Sequence, residues 1–144
     1  MKIFLSLIAM VFLFSCKEPV AESRVIYFEN SSGKTPEISV EIADTELSRQ
    51  HGLMFRRELC ENCGMLFIFP DEDFRAFWMK DTYLSLDIIF IREDGQVINI
   101  ANGTIPFSTR KIPSTAPAKY VLEVKAGDAS KFGISPGAKL HHPG

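Results

Sequence analysis

From Glu37 to Ala43 the chain alternates strictly, Ile38, Val40 and Ile42 against Glu37, Ser39 and Glu41, which is the two-residue period of a half-buried β-strand. Arg24 to Glu29 reads as a short strand, followed by a turn-rich loop over 30–36. Asp44 or Thr45 can cap a two-turn helix that runs to about His51, with Gly52 as the residue that ends it. Met65 to Phe69 and Arg75 to Lys80 are apolar runs on either side of Pro70-Asp71-Glu72-Asp73, an acidic stretch read as a solvated turn rather than a metal site. Asp94-Gly95 between apolar runs predicts a two-residue hairpin turn, which pairs Ile91 with Ile98, Ile89 with Ile100 and Phe90 with Asn99. Residues 102–118 carry three prolines and read as a long loop. Lys119 to Lys125 is a further strand, Ala126-Gly127 a turn, and 138–142 a last strand or tail. Short strands at this spacing, with one or two short helices, predict an all-β domain, either a sandwich or barrel-like.

The N-terminus breaks this pattern. Ile3 to Phe14 holds eleven apolar residues in twelve after a lone Lys2, too short for a comfortable span and suited to the core of an export signal. Leu13-Phe14-Ser15-Cys16 resembles a bacterial lipobox, with Phe14 the departure from its commonest form. The expected organisation is a signal peptide over 1–15, a tether over 16–23 starting at a lipidated Cys16, and one β domain over 24–144. Several acyl chains anchor stably where one would not. The expected location is therefore the cell envelope, on the membrane, facing the periplasm or the exterior.

Outside the cytosol, Cys60 and Cys63 in Cys60-Glu61-Asn62-Cys63 are expected to form a structural disulfide. A thiol-redox role stays open, whereas haem attachment needs a histidine where Gly64 stands, and zinc needs ligands that His51, His141 and His142 do not supply at a recognisable spacing. No cofactor or metal is expected. Sixteen Lys and Arg against eighteen Asp and Glu give a net charge of −2 and no basic stripe, which excludes nucleic acid as the main partner.

Arg56, Lys80, Asp87 and Glu123 are charges embedded in apolar runs, where charge is held by pairing. Asp87 and Glu123 could act as acid and base on a glycan if held about 5 to 9 Å apart, with Lys80 a further candidate for catalysis. The plainer alternative pairs Arg56 with Asp87 or Glu123 and Lys80 with another carboxylate. Strand parity puts Phe77 and Met79 on one face and Trp78 and Lys80 on the other. Trp78 is then either a packed aromatic or, with Lys80, Arg56 and Asp87, part of a stacking surface for a ligand. Met54, Met65 and Met79 are assigned to packing.

Gly52-Leu53-Met54-Phe55-Arg56, Gly64-Met65-Leu66-Phe67-Ile68-Phe69, Phe77-Trp78-Met79-Lys80-Asp81-Thr82, Leu86-Asp87-Ile88-Ile89-Phe90-Ile91 and Asp94-Gly95 occur in this order. Together they closely resemble domain-of-unknown-function family 192, with similarity from about Ile38 to Leu140. Asp81 stands where the family commonly has Asn, and Ser85 where it commonly has Pro. The resemblance implies a jelly-roll type β domain, often exported, with no established activity. The leading expectation is a lipid-anchored binding or interaction module for a glycan or polypeptide; an envelope glycan hydrolase using Asp87 and Glu123, and a thiol-redox accessory protein using Cys60 and Cys63, are the alternatives.

Overall fold

The computed structural model describes residues 22–141, so the segments expected to be an export signal and a tether lie wholly or mostly outside the described residues, as do Cys16 and His142. The elements are β1 (Ser23–Asn30), β2 (Gly33–Lys34), β3 (Ile38–Ala43), α1 (Glu46–His51), β4 (Cys63–Asp73), β5 (Ala76–Phe77), β6 (Leu86–Ile91), β7 (Val97–Ala101), β8 (Ile112–Pro113), β9 (Ala118–Lys125), α2 (Asp128–Lys131) and β10 (Lys139–His141). Eight strands form one sheet in the order β10-β1-β3-β4-β9-β6-β7 with β2 beside β1, and β5 and β8 form a separate two-stranded ribbon. The sheet curls until its outer strands meet: Gln96 bridges Lys139, and the Val97 and Leu140 N–H groups donate to the Ala138 and Gly95 carbonyls, each at 2.8 Å. The all-β expectation holds, in the barrel-like form, and the contact between the two ends leaves little exposed sheet edge.

β3 and β4 are parallel. Parallel neighbours need a long crossover, and here residues 44–62, including α1, cross the outer face of the sheet. That crossover creates a second core. Inside the curl pack Ile26, Phe28, Val40, Leu66, Ile89, Leu122 and Val124; outside it Leu53, Met65, Phe67, Met79, Ile88, Phe90 and Val121 pack under the crossover and the 74–85 segment. β6 has a core on both faces and is buried along its whole length, which is why Leu86 to Ile91 is continuously apolar apart from Asp87 rather than alternating.

Thr45 caps α1, accepting from the Ser48 N–H while Ser48 Oγ accepts from the Thr45 N–H. A second helix, α2, follows Gly127, where the sequence suggests only a turn. The acidic stretch 70–73 is exposed as expected, but it continues β4 past a bulge instead of forming a turn. The 93–95 turn also departs from expectation. Gly95 at φ 89° donates its N–H to the Arg92 carbonyl, and the Arg92 N–H reaches Gln96, giving a three-residue loop closed by a left-handed glycine. Asp94 drives this form by accepting from the Gln96 N–H at 2.9 Å. Ile89 pairs with Ile100 and Phe90 with Asn99 as expected, but Ile91 then pairs with Val97 and not Ile98.

Candidate ligand-binding cavity

Across the outer face of the sheet, Glu41, Met65, Glu123 and Ile88 are successive register partners in β3, β4, β9 and β6 and share one face. Above this row lies an open cavity of about 670 Å³. Glu123 forms part of its wall together with Phe67 and Phe69 of β4 and Phe77 of β5; Trp78 and Met54 border it, and α1 contributes Glu46, Arg49 and His51. The aromatic walls brace one another, Phe77 meeting Phe67 edge-on at 5.0 Å and Phe69 at 6.4 Å between centroids.

Glu123 retains 5% of its surface, and among the described residues no hydrogen bond or ion pair shapes its titration; burial alone pushes its carboxyl up to about 8. No described side-chain oxygen is both sealed and unpaired, so this carboxyl opens into the cavity it lines. At neutral pH it is predominantly a protonated acid. Arg49 is held at the mouth by the Ile68 carbonyl at 2.8 Å and by the Asp44 carbonyl, with its guanidinium 5.2 Å over the Phe69 ring.

The other candidate residues are dispersed. Asp87 is fully buried on the inner face, where it pairs with Val124 in register. It accepts from the backbone N–H of Gly103 at 2.9 Å, Gly127 at 2.9 Å and Ala129 at 3.1 Å. Those donors satisfy a carboxylate whose parity put it among apolar residues, and they tie the loop after β7 and the start of α2 to β6. Asp87 and Glu123 therefore face away from each other, and the paired-carboxylate arrangement that glycoside hydrolysis requires is not formed. Arg56 pairs with neither of them. It holds Glu41 bidentately, and this contact keeps the Glu41 carboxyl below its usual range. Lys80 forms no ion pair among the described residues and stands 5.5 Å from the Trp78 ring. Trp78 keeps 48% of its surface exposed while Met79 is fully buried, so the stacking alternative fits its position better than the packed one. Cys60 and Cys63 are joined as a disulfide, with Cα atoms 5.3 Å apart, and neither lines the cavity. No cluster of three or more His, Cys, Asp or Glu suited to a metal exists among the described residues, and none of the described helices is long and apolar enough to cross a membrane.

Sequence reasoning missed the contribution of α1 and of Phe67, Phe69 and Phe77. Met65 to Phe69 was legible as an apolar run, but the crossover that roofs it was not. It also missed an exposed aromatic flank formed by Phe55, Tyr83 and Phe107. Tyr83 and Phe107 meet edge-on at 4.8 Å, and Arg57 lies 4.4 Å over Tyr83. Phe55, Asp81 and Phe107 all adopt left-handed backbone, at φ 64°, 53° and 61°. Their loops are joined by hydrogen bonds from Phe55 N–H to the Asp81 carbonyl and from Phe107 N–H to the Thr82 carbonyl. Aromatic residues rarely take this conformation, and such strain is concentrated at sites that clamp ligands. Asp tolerates it almost as well as Asn, which gives the Asp81 departure a backbone reason. Met54 and Thr82, next in sequence to Phe55 and Tyr83, line the cavity, so the flank borders it.

No curated protein matches the chain. A Sinorhizobium meliloti 1021 protein, solved at 1.55 Å and described as a "putative transcription regulator", superimposes with a TM-score of 0.82 at 38% identity, covering 85% of this chain and 95% of the other. A protein of unknown function from Novosphingobium aromaticivorans DSM 12444, solved at 1.22 Å, gives a TM-score of 0.78 at 36% identity over 83% and 84% of the two chains. The family model of DUF192, an uncharacterized family, matches residues 28–142, and with the motifs and fold above this shows that the chain belongs to the DUF192 family.

Proposed function

We propose that this protein is a cell-envelope lipoprotein, anchored through Cys16, whose barrel-like domain is a binding module that takes its ligand in the cavity bordered by Trp78 and Glu123. The cavity carries the reading: it is open, walled by aromatic side chains and contains one buried carboxyl without a partner among the described residues, the combination of apolar wall and sparse polar group typical of ligand sites. Trp78 offers a half-exposed ring for stacking, and the aromatic flank extends the contact surface beyond the cavity. The Leu13-Phe14-Ser15-Cys16 pattern supports the anchor. A net charge of −2 without a basic stripe weighs against carrying the transcription description of the Sinorhizobium meliloti relative over to this chain.

Two experiments test the two halves. Cys16→Ser should move the protein from the membrane to the soluble fraction and abolish palmitate labelling; retention of the label would remove the anchor. Trp78 is the sole tryptophan, so its fluorescence reports on the cavity directly. Titration with N-acetylglucosamine oligomers and with acetylated oligopeptides should give a saturable change with one class, and that change should be lost in the cavity-filling variant Ala76→Phe. A response unaffected by that substitution would place the ligand elsewhere.

A further inference from the structure

We propose that the cavity recognises an ammonium group on an alkyl stem, with Glu123 as its counter-ion and the surrounding aromatic rings as its walls. This deepens the binding reading above and rests on it.

The geometry supplies three parts of such a site. Glu123 is 5% exposed and opens into the cavity without a partner among the described residues. A buried carboxyl of this kind gains most from a ligand that brings the missing positive charge, because each charge then offsets the desolvation of the other. The rings of Phe67, Phe77 and Trp78 border the same space, and aromatic faces attract cations as well as alkyl carbons. The protein already uses this chemistry next to the cavity, where the Arg75 guanidinium lies 4.0 Å over the Phe69 ring.

The charges around Glu123 permit a cation to enter. From β3, Glu41 is neutralised by Arg56 of the crossover. From α1, Glu46, Arg49 and His51 line the mouth, Glu46 accepting from Gln50 and Arg49 donating to the Asp44 and Ile68 carbonyls, so the two opposite charges there are not joined to each other. The β4 and β6 neighbours in its row, Met65 and Ile88, carry no charge. Neither Arg49 at the mouth nor Lys125, two residues along β9 on the same face, contributes to the Glu123 titration, so a carboxylate ligand would find no cation held against the acid and anions are disfavoured. A neutral acceptor could take only one hydrogen bond from the protonated acid.

Binding an ammonium ion requires Glu123 to release its proton, so affinity is linked to pH. Below the free-state titration near 8, one proton leaves for each ligand bound. Apparent affinity should then rise about tenfold per pH unit from 6 to 7.5, level off above 8, and fall again once the amine itself loses its proton near 10.

Trp78 fluorescence with n-butylamine as probe, and with 1-butanol, butyrate and an acetylated lysine amide alongside it, tests the proposal. Saturable binding of n-butylamine with that pH slope, at least tenfold tighter than 1-butanol and butyrate at pH 7.5, is the expected result. Glu123→Gln should remain folded, as judged by its urea midpoint, and lose both the preference and the slope. A lysine amide that binds more tightly than n-butylamine identifies a lysyl side chain of a polypeptide as the source, and equal affinity identifies a free amine. Butanol matching the amine at every pH, or Glu123→Gln keeping the amine preference, overturns the ammonium assignment while leaving a binding cavity in place. Absence of any response to all four probes overturns it together with the binding role of the cavity.

Discussion

Asp87 pairs in register with Val124, the neighbour of Glu123 on β9, so the two carboxyl groups stand one step apart on adjacent strands and point to opposite faces of the sheet. The inward one meets three backbone N–H groups, and the outward one meets a cavity. Two acids of similar local sequence setting thus have separable roles, one holding loops and the other offering an unpaired group to whatever enters.

Replacing Asp87 with Asn leaves an amide NH₂ facing backbone donors and removes the charge that strengthened the remaining bonds. We expect a loss of about 2 to 4 kcal/mol of stability, since a buried charge-assisted network is being broken. Urea unfolding of the variant should show a lower midpoint with an unchanged slope. A midpoint equal to that of the parent would mean that the Gly103, Gly127 and Ala129 N–H groups do not depend on this carboxylate.

For Glu123 the sign is reversed. Its folded-state value is raised to about 8 from 4.5, so below 4.5 the acid is protonated whether or not the chain is folded and has no effect on stability. Between 4.5 and 8 the unfolded chain loses the proton while the folded one keeps it, and stability falls as pH rises through that window before levelling above 8. The fall is at most about 1.36 kcal/mol for each pH unit crossed, which makes the full effect a few kcal/mol. Glu123→Gln should therefore be more stable than the parent at pH 8 and nearly equal to it at pH 4.5. Parallel urea curves for the two proteins across pH 5 to 8.5, with a constant difference between them, would contradict the raised value.

Much of the fold was legible because alternation marks a half-buried strand and a short continuous apolar run marks one buried on both faces. The strands around Ile38 to Ala43, Met65 to Phe69, Leu86 to Ile91 and Lys119 to Lys125 all appear where the pattern places them. The cap at Thr45 was legible from its local hydrogen-bonding chemistry, whereas of the Arg75 to Lys80 run only Ala76–Phe77 is strand, and Phe77 and Trp78 line the same cavity instead of opposite faces. The cavity was not. It depends on the parallel pairing of β3 with β4, which sends residues 44–62 over the outer face, and strand order is a long-range property that no local pattern encodes. Arg56 illustrates the limit: its need for a carboxylate partner could be read, yet only the crossover path selects Glu41 over Asp87 and Glu123. The hairpin shift at Val97 has a smaller cause, the hydrogen bond from the Gln96 N–H to Asp94.

The Cys60–Cys63 bridge closes a loop with a sequence separation of only 3, so chain-entropy reasoning assigns it about 2 kcal/mol. Reduction with dithiothreitol should lower the urea midpoint by that modest amount and leave the folded protein, and its Trp78 response, intact. Should reduction abolish the cavity response in a protein that stays folded, the disulfide would be part of the functional apparatus, and the thiol-redox reading would regain its place.

Gly64 couples the fold to the cavity more tightly than any acid does. It pairs with Val124 where β4 and β9 run side by side, and a Cβ added there would come within 2.6 Å of the Glu123 carbonyl oxygen and 3.0 Å of Val124 Cγ1. The first neighbour is backbone and cannot swing aside, so relief requires β9 to move away from β4 at the residue that bears the cavity carboxyl. Overpacking of this kind costs roughly 1 to 3 kcal/mol. Gly64→Ala should lower the urea midpoint accordingly. Any protein that still folds should also show weakened n-butylamine binding, because the displaced strand carries Glu123 with it. Gly103→Ala is the comparison: a Cβ there meets nothing within 4 Å, so its effect is confined to the left-handed backbone at φ 58°, and its amine affinity should match that of the parent. Equal binding losses in the two variants would show that the close approach at Gly64 does not set the position of Glu123.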